Sequence, residues 1–440
     1  MKKDITWEKL KKWRNDFESD PMVKYLQNSL VRHDLKEVYT NRDALLVNQL
    51  CFSDNPKIGD VMAQKQSGRC WMFAELNVLR SELMRKKEMP ETFRFSVPYL
   101  YFFDKLERAN FFLERILMNK GRNAQGEIDR SMFYSPVGEG GQWYMMANLI
   151  EKYGLVPEPC MPETYHSENT QQFCAVLNKI VRNGAVQLIK KMESGADEMD
   201  LLQIKEQCLS SIYDVLCKCL GTPPEKFRYE YKDTKGEYHK LEMTPLEFAN
   251  DFCECHFEDY VYVVDVPGKN RPYHKTFTLE NCGNIWGKRG IYYNLSMEEI
   301  KPMLLAQLAD GETIWFGCDC MNDMDRASGM MIDGLCDYQG LFGVEYELSR
   351  EEMLDYCESG SNHDMVISAV KETSPGHYVW KVENSWGSQV GIGGRYVMDD
   401  SFLEKYAFQF VINKKYMTET QLFELEQEPI VLKSNDPMGL

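Results

Sequence analysis

The first half of this chain spaces its apolar residues for helices and the last third alternates them for strands, and that order constrains the fold most. Trp7, Leu10, Trp13 and Phe17 predict one amphipathic helix or two over residues 5–30. A helix is expected from Cys70 toward Lys87, with Phe73, Leu76, Leu79 and Leu83 as its stripe. Another follows Gly140-Gly141 through Trp143, Met146, Leu149 and Ile150, and stops at Gly154. Residues 169–220 read as helical almost throughout, whereas 221–290 are irregular and rich in tyrosine. Segments 313–316, 365–370, 378–382 and 396–398 then alternate as strands between glycine-rich turns. Helices first and strands afterwards is an α+β order, not the regular alternation of a parallel βαβ sheet.

Composition narrows what such a chain does. Of 440 residues, 43% are hydrophobic and 12% aromatic, enough to bury a sizeable core. The net charge of −17 repels phosphate backbones and anionic membranes, so nucleic-acid and membrane partners are not expected. No apolar run is long enough to span a bilayer, and charges follow the opening lysines at once, which predicts no leader and a cytoplasmic address. Fourteen cysteines fit buried thiols in a reducing compartment. The pairs Cys217/Cys219, Cys253/Cys255 and Cys318/Cys320 have a one-residue gap, which suits packing better than zinc; no metal or cofactor is expected.

Cys70 stands apart from the other thirteen. It follows Ser67-Gly68-Arg69 and opens a helix, where the positive end of the macrodipole is expected to lower a thiol's pKa. Gln64, six residues upstream, is a neutral donor able to reach an oxyanion near that sulfur. His363 heads an apolar run, and Asn384, after the strand 378–382, offers an amide oxygen to fix the imidazole tautomer, with Trp386 shielding the bond. Each of these residues has an ordinary structural explanation when taken alone.

Together, Gln64, Cys70-Trp71, a strand-heading histidine and Asn384-Ser385-Trp386-Gly387 resemble the papain-like cysteine peptidases in residue type and order. Cys70 and His363 lie about 290 residues apart, against ~130–150 in compact members. A papain-like chain so enlarged resembles the bleomycin hydrolase and aminopeptidase C family. Further stretches carry that likeness: Gly140-Gly141-Gln142-Trp143, Trp315-Phe316-Gly317-Cys318-Asp319 and Asp436-Pro437-Met438-Gly439. In secreted papain-like members a cysteine stands where this chain has Ser67, and its absence agrees with a cytoplasmic setting.

The resemblance implies a two-lobed α+β core, one lobe helical and one β-barrel-like, with a large helical and hook-like insertion. The expected division is an N-terminal helical arm over 1–60, the helical lobe over 61–165, the insertion over 166–290, the β lobe over 291–417 and a tail over 418–440. It implies a cysteine aminopeptidase acting on peptides with a free N-terminus, assembled as a homohexamer. Cys70 would be the nucleophile, His363 the acid and base, Asn384 its orienting partner and Gln64 an oxyanion donor, with Trp71 and Trp386 in support. Gly140 and Gly141 would form a substrate ledge, and the Leu440 carboxylate would meet the substrate amine. The family's hook is sometimes basic and nucleic-acid binding, but residues 221–275 hold 8 Lys and Arg against 11 Asp and Glu, so that property is not carried over.

Rival readings fare worse. A metallopeptidase wants a His-Glu-x-x-His pair, and His256 and His274 do not form one. The run Asp323-Met324-Asp325-Arg326 lacks the glycine and distal glutamate of a calcium loop. A silent scaffold has no need of all four polar site residues. An endopeptidase with an altered tail is the main alternative within the family, and an acyltransferase or glutaminase using the same thiolate is a weaker one.

Overall fold

A computed structural model describes residues 4–47, 51–52, 58–123 and 125–439. The α+β order holds. Helices Trp7–Glu18 and Val23–Leu30 form at the front, and neither buries a single residue. Their apolar stripe is therefore real as a pattern yet uncovered: Trp7 is 81% exposed and Trp13 51%.

The helix Cys70–Lys87 forms where its periodicity predicts, but it is buried on almost every side over Cys70–Met84 rather than along one stripe. It is a central helix. The longer helix Val97–Asn119, capped by Ser96 and started by Pro98, lies outside the elements the sequence singles out. Trp143–Tyr153 ends at Gly154 as expected, and the long helical segment resolves into Thr170–Glu193 and Glu198–Leu220.

Among the described residues the strands assemble into one eleven-stranded sheet, with a separate hairpin of Phe227–Lys232 and Tyr238–Met243. Its centre runs Tyr260–Val264, Ala407–Asn413, Ile314–Cys318, His363–Ser374, His377–Glu383 and Arg395–Asp399, each antiparallel to the next. Tyr260–Val264 and Lys275–Leu279 belong to this sheet although they fall within residues 166–290.

Strand alternation divides the core. Trp315 and Val366 pack with the helix Cys70–Lys87, while Ile314, Phe316, Met365 and Ile367 pack into a second cluster. Successive side chains on a strand face opposite sides, so one sheet serves two cores. That parity also settles which residue near the start of His363–Ser374 looks toward the helix. Asp364 shares the parity of Val366; His363 shares that of Met365.

Candidate active site

The site forms where the N-terminus of Cys70–Lys87 meets the start of His363–Ser374. The loop before the helix is held firmly. Arg69 is fully buried and donates from Nη1 to both Glu163 oxygens at 3.0 and 2.9 Å, and from Nε to Ser67 Oγ at 2.9 Å. Its guanidinium also lies over the rings of Phe73 and Tyr101. A planar, bidentate cation suits this clamp better than a lysine would.

The same loop is stitched to the segment that carries Asn384. Gln64 N donates to Ser385 O at 2.7 Å, Gly387 N donates to Met62 O at 3.1 Å, and Ala63 bridges Trp386. The Gln64 side chain is fixed at both ends: Nε2 donates to Ser67 O at 2.6 Å, and Oε1 accepts from the Ser385 hydroxyl at 2.6 Å. One Nε2 hydrogen remains uncommitted, because an amide nitrogen carries two.

His363 is the first residue of its strand, as the sequence predicts. The turn before it is pinned by Asn362, whose Nδ2 donates to Asp319 and whose Oδ1 accepts from Cys320 N. His363 Nε2 bonds Asn384 Oδ1 at 2.8 Å, so Nδ1 is the nitrogen left to exchange a proton. The Trp386 ring stacks on the imidazole at 4.6 Å between centroids, and the Arg326 guanidinium lies over the Trp386 ring, 4.3 Å from its centroid. Burial pushes His363 down to about 4, with the Asn384 bond opposing that shift and Arg326 adding to it.

The thiol departs from expectation in two ways. Its hydrogen bond runs to Asp364, with Cys70 Sγ 3.7 Å from Oδ2, and not to His363. Burial, reinforced by Asp364, pushes the Cys70 thiol up, whereas the helix terminus alone would bring it down. The physical reason is magnitude: a helix end contributes about 0.3–2 kcal/mol, and complete desolvation of a charge costs more.

Gly140 and Gly141 lie against this loop. Gly140 N donates to Gly68 O at 3.0 Å, and its φ of +78° is one that glycine adopts without strain. A Cβ on Gly141 would stand 2.7 Å from the Trp71 ring, so the chain passes directly over that indole. Leu440 lies outside the described residues. The tail before it adds the short strand Ile430–Leu432 to the sheet edge, pairs Asp436 with Arg271 at 3.3 Å and buries Met438.

Sequence reasoning thus places Gln64, Cys70, Trp71, Gly140, Gly141, His363, Asn384 and Trp386 in one neighbourhood. It missed Asp364, Ser385 and Arg69. Asp364 was legible in principle, since strand parity turns the residue after His363 toward the helix that carries Cys70.

A buried cysteine at a helix start, a histidine bound to an asparagine and an immobilised glutamine amide define the class: a cysteine peptidase. The chain belongs to the peptidase C1-like family, which matches residues 4–439. It is 34% identical over 441 residues to aminopeptidase C of Listeria monocytogenes, covering 100% of this chain and 99% of the relative. It is 36% identical over 433 residues to human (Homo sapiens) bleomycin hydrolase, covering 96% and 95%. The crystal structure of PepW from Lactobacillus rhamnosis superposes with a TM-score of 0.96 at 34% identity, covering 100% of both chains. Among the described residues no helix is long and apolar enough to cross a membrane.

Proposed function

We propose that this protein is a cysteine aminopeptidase that removes N-terminal residues from peptides through a thioester intermediate. The observation that carries the reading is the 2.8 Å bond from His363 Nε2 to Asn384 Oδ1 beneath Trp386, which leaves Nδ1 for the chemistry at Cys70. The relatives named aminopeptidase C support the exopeptidase mode.

In this reading the Cys70 proton passes to His363 Nδ1 as the sulfur attacks the scissile carbonyl carbon. The transfer within the pair creates no net charge, so the buried site tolerates it better than ionisation of either group alone. The carbonyl oxygen becomes an oxyanion held by the Cys70 N–H and the free Nε2 hydrogen of Gln64. Collapse breaks the C–N bond, and the imidazolium gives its proton to the departing amine. Water then attacks the thioester with His363 as base, which releases the carboxylic acid and restores the thiol. Asn384 is a positioning residue, and Ser385 holds the Gln64 amide in the orientation that keeps its nitrogen toward the substrate.

Gly140 and Gly141 serve as an edge on which extended substrate pairs, since a missing side chain allows close backbone approach. The division at 1–60, 61–165, 166–290, 291–417 and 418–440, a homohexameric assembly and a cytoplasmic location complete the proposal. The test uses the full-length protein with aminoacyl-coumarin amides and an N-acetylated counterpart. Release from the free amide only, abolished by Cys70→Ser and by thiol alkylation, is expected. Equal cleavage of both would establish the endopeptidase alternative.

A further inference from the structure

Resting on the aminopeptidase reading, we infer that Asp364 is a specificity residue whose carboxylate binds the protonated α-amino group of the substrate. Asp364 is buried, 8% exposed as a residue, and its Oδ2 stands 3.7 Å from the Cys70 sulfur. It faces the helix side of the sheet by strand parity. The titratable groups around it are Cys70, Cys318, Cys320 and Tyr262 on the neighbouring elements and His363 beside it on its own strand. None of the first four is cationic in any state, and His363 is held neutral by burial. No ion pair to Asp364 exists among the described residues.

The space for this carboxyl is built into the fold. Gly317 pairs opposite Asp364, and a Cβ at position 317 would come within 3.0 Å of Asp364 Oδ1 and 2.6 Å of Ser361 Oγ. A carboxyl so deeply buried ionises readily only where a ligand supplies a compensating positive charge. The distance selects the ligand. In a peptide the α-nitrogen of the first residue lies two bonds from the carbonyl carbon that the sulfur attacks. A carboxylate beside that sulfur therefore meets the amine of the residue being released. A second residue on that side would carry an amide instead, with no charge to offer.

The ammonium does more than anchor. An ionised Asp364 opposes a thiolate next to it, and a bound cation cancels that opposition. The free N-terminus thus both positions the scissile carbonyl and favours the nucleophile, so an N-blocked peptide loses twice.

The experiment compares free and N-acetylated aminoacyl-coumarin amides in the wild type, Asp364→Asn and Asp364→Ala. Active-site content is fixed by stoichiometric iodoacetamide labelling of Cys70. Both variants are expected to lose about 10- to 100-fold in kcat/KM on the free amides, chiefly through KM, as for a lost charge-assisted contact. Both should gain on the acetylated amides, so the preference for a free amine collapses. A preference that persists in both variants overturns the inference while leaving the aminopeptidase reading intact. Equal losses on both substrates also overturn it, since they mark a purely structural role. A variant-sensitive preference for N-acetylated substrates with an arginine before the cleaved residue would assign the carboxyl to a basic side chain instead. Absence of any preference in the wild type would overturn both readings.

Discussion

The Ser385 hydroxyl donates to Gln64 Oε1 at 2.6 Å, joining the loop that precedes the Cys70–Lys87 helix to the loop that carries Asn384. With its oxygen occupied, the Gln64 amide cannot flip without losing that bond, so its nitrogen is preorganised. Replacing Gln64 with Ala should lower kcat about 100- to 1,000-fold with little change in KM, the signature of a contact made only in the transition state. Ser385→Ala should lower kcat by a smaller factor in the same sense. Steady-state kinetics on one amide substrate checks both, and an unaltered kcat in Gln64→Ala would remove that residue from the oxyanion site.

Asn384→Ala should leave the thermal midpoint nearly unchanged yet lower kcat, because His363 Nε2 loses its 2.8 Å acceptor and the ring can rotate under Trp386. The loss should be on the order of tenfold or more, in line with general acid–base contributions. Matched kcat in a folded Asn384→Ala protein would show that Trp386 stacking alone fixes the imidazole.

Although burial raises the Cys70 thiol, proton transfer to His363 should let it react with substoichiometric iodoacetamide ahead of the other thirteen cysteines, with activity lost in step. Burial holds the Asp364 carboxyl up at about 8. Below that pH it is protonated and neutral; above it, a negative charge opposes the thiolate. Asp364→Asn should therefore alkylate faster than wild type at about pH 9 and at a similar rate at about pH 6. Equal rates at both values would show that the two groups do not interact.

The same carboxyl makes stability depend on pH. Below about 4 it is protonated in folded and unfolded chains alike. Between about 4 and 8 the unfolded chain releases a proton that the folded chain retains, so folded stability falls as pH rises through this window. Asparagine carries no such penalty. Asp364→Asn should gain thermal stability over wild type between about pH 5 and pH 8.5, on the order of 5 °C at the upper end. A difference in melting temperature that does not vary with pH would contradict a carboxyl held neutral by burial.

Removing the last four residues deletes the Pro437–Gly439 turn and Leu440. If the terminal carboxylate helps to block longer occupancy of the cleft, the truncated protein should release fewer single residues and begin to cleave N-blocked peptides. Product analysis by mass spectrometry reads this directly. An unchanged product pattern would leave Asp364 as the sole reader of the substrate amine.

Periodicity alone determined much of this protein. The helix start at Cys70, the helix end at Gly154, the strand headed by His363 and the α+β order all follow from local spacing and capping, which depend on near neighbours. The residue types and order of Gln64, Cys70, His363 and Asn384 were sufficient to point to the family, whose model matches residues 4–439. The tertiary structure decided what lies across space. It surrounded the Cys70–Lys87 helix with core, so that burial rather than the helix dipole governs the thiol. It left the Trp7–Glu18 stripe exposed, because periodicity records an apolar face but not what covers it. It also set Asp364 against Cys70 through the register of one strand with a helix almost three hundred residues earlier. Register and desolvation are properties of the assembled sheet and core, and no window along the sequence contains them.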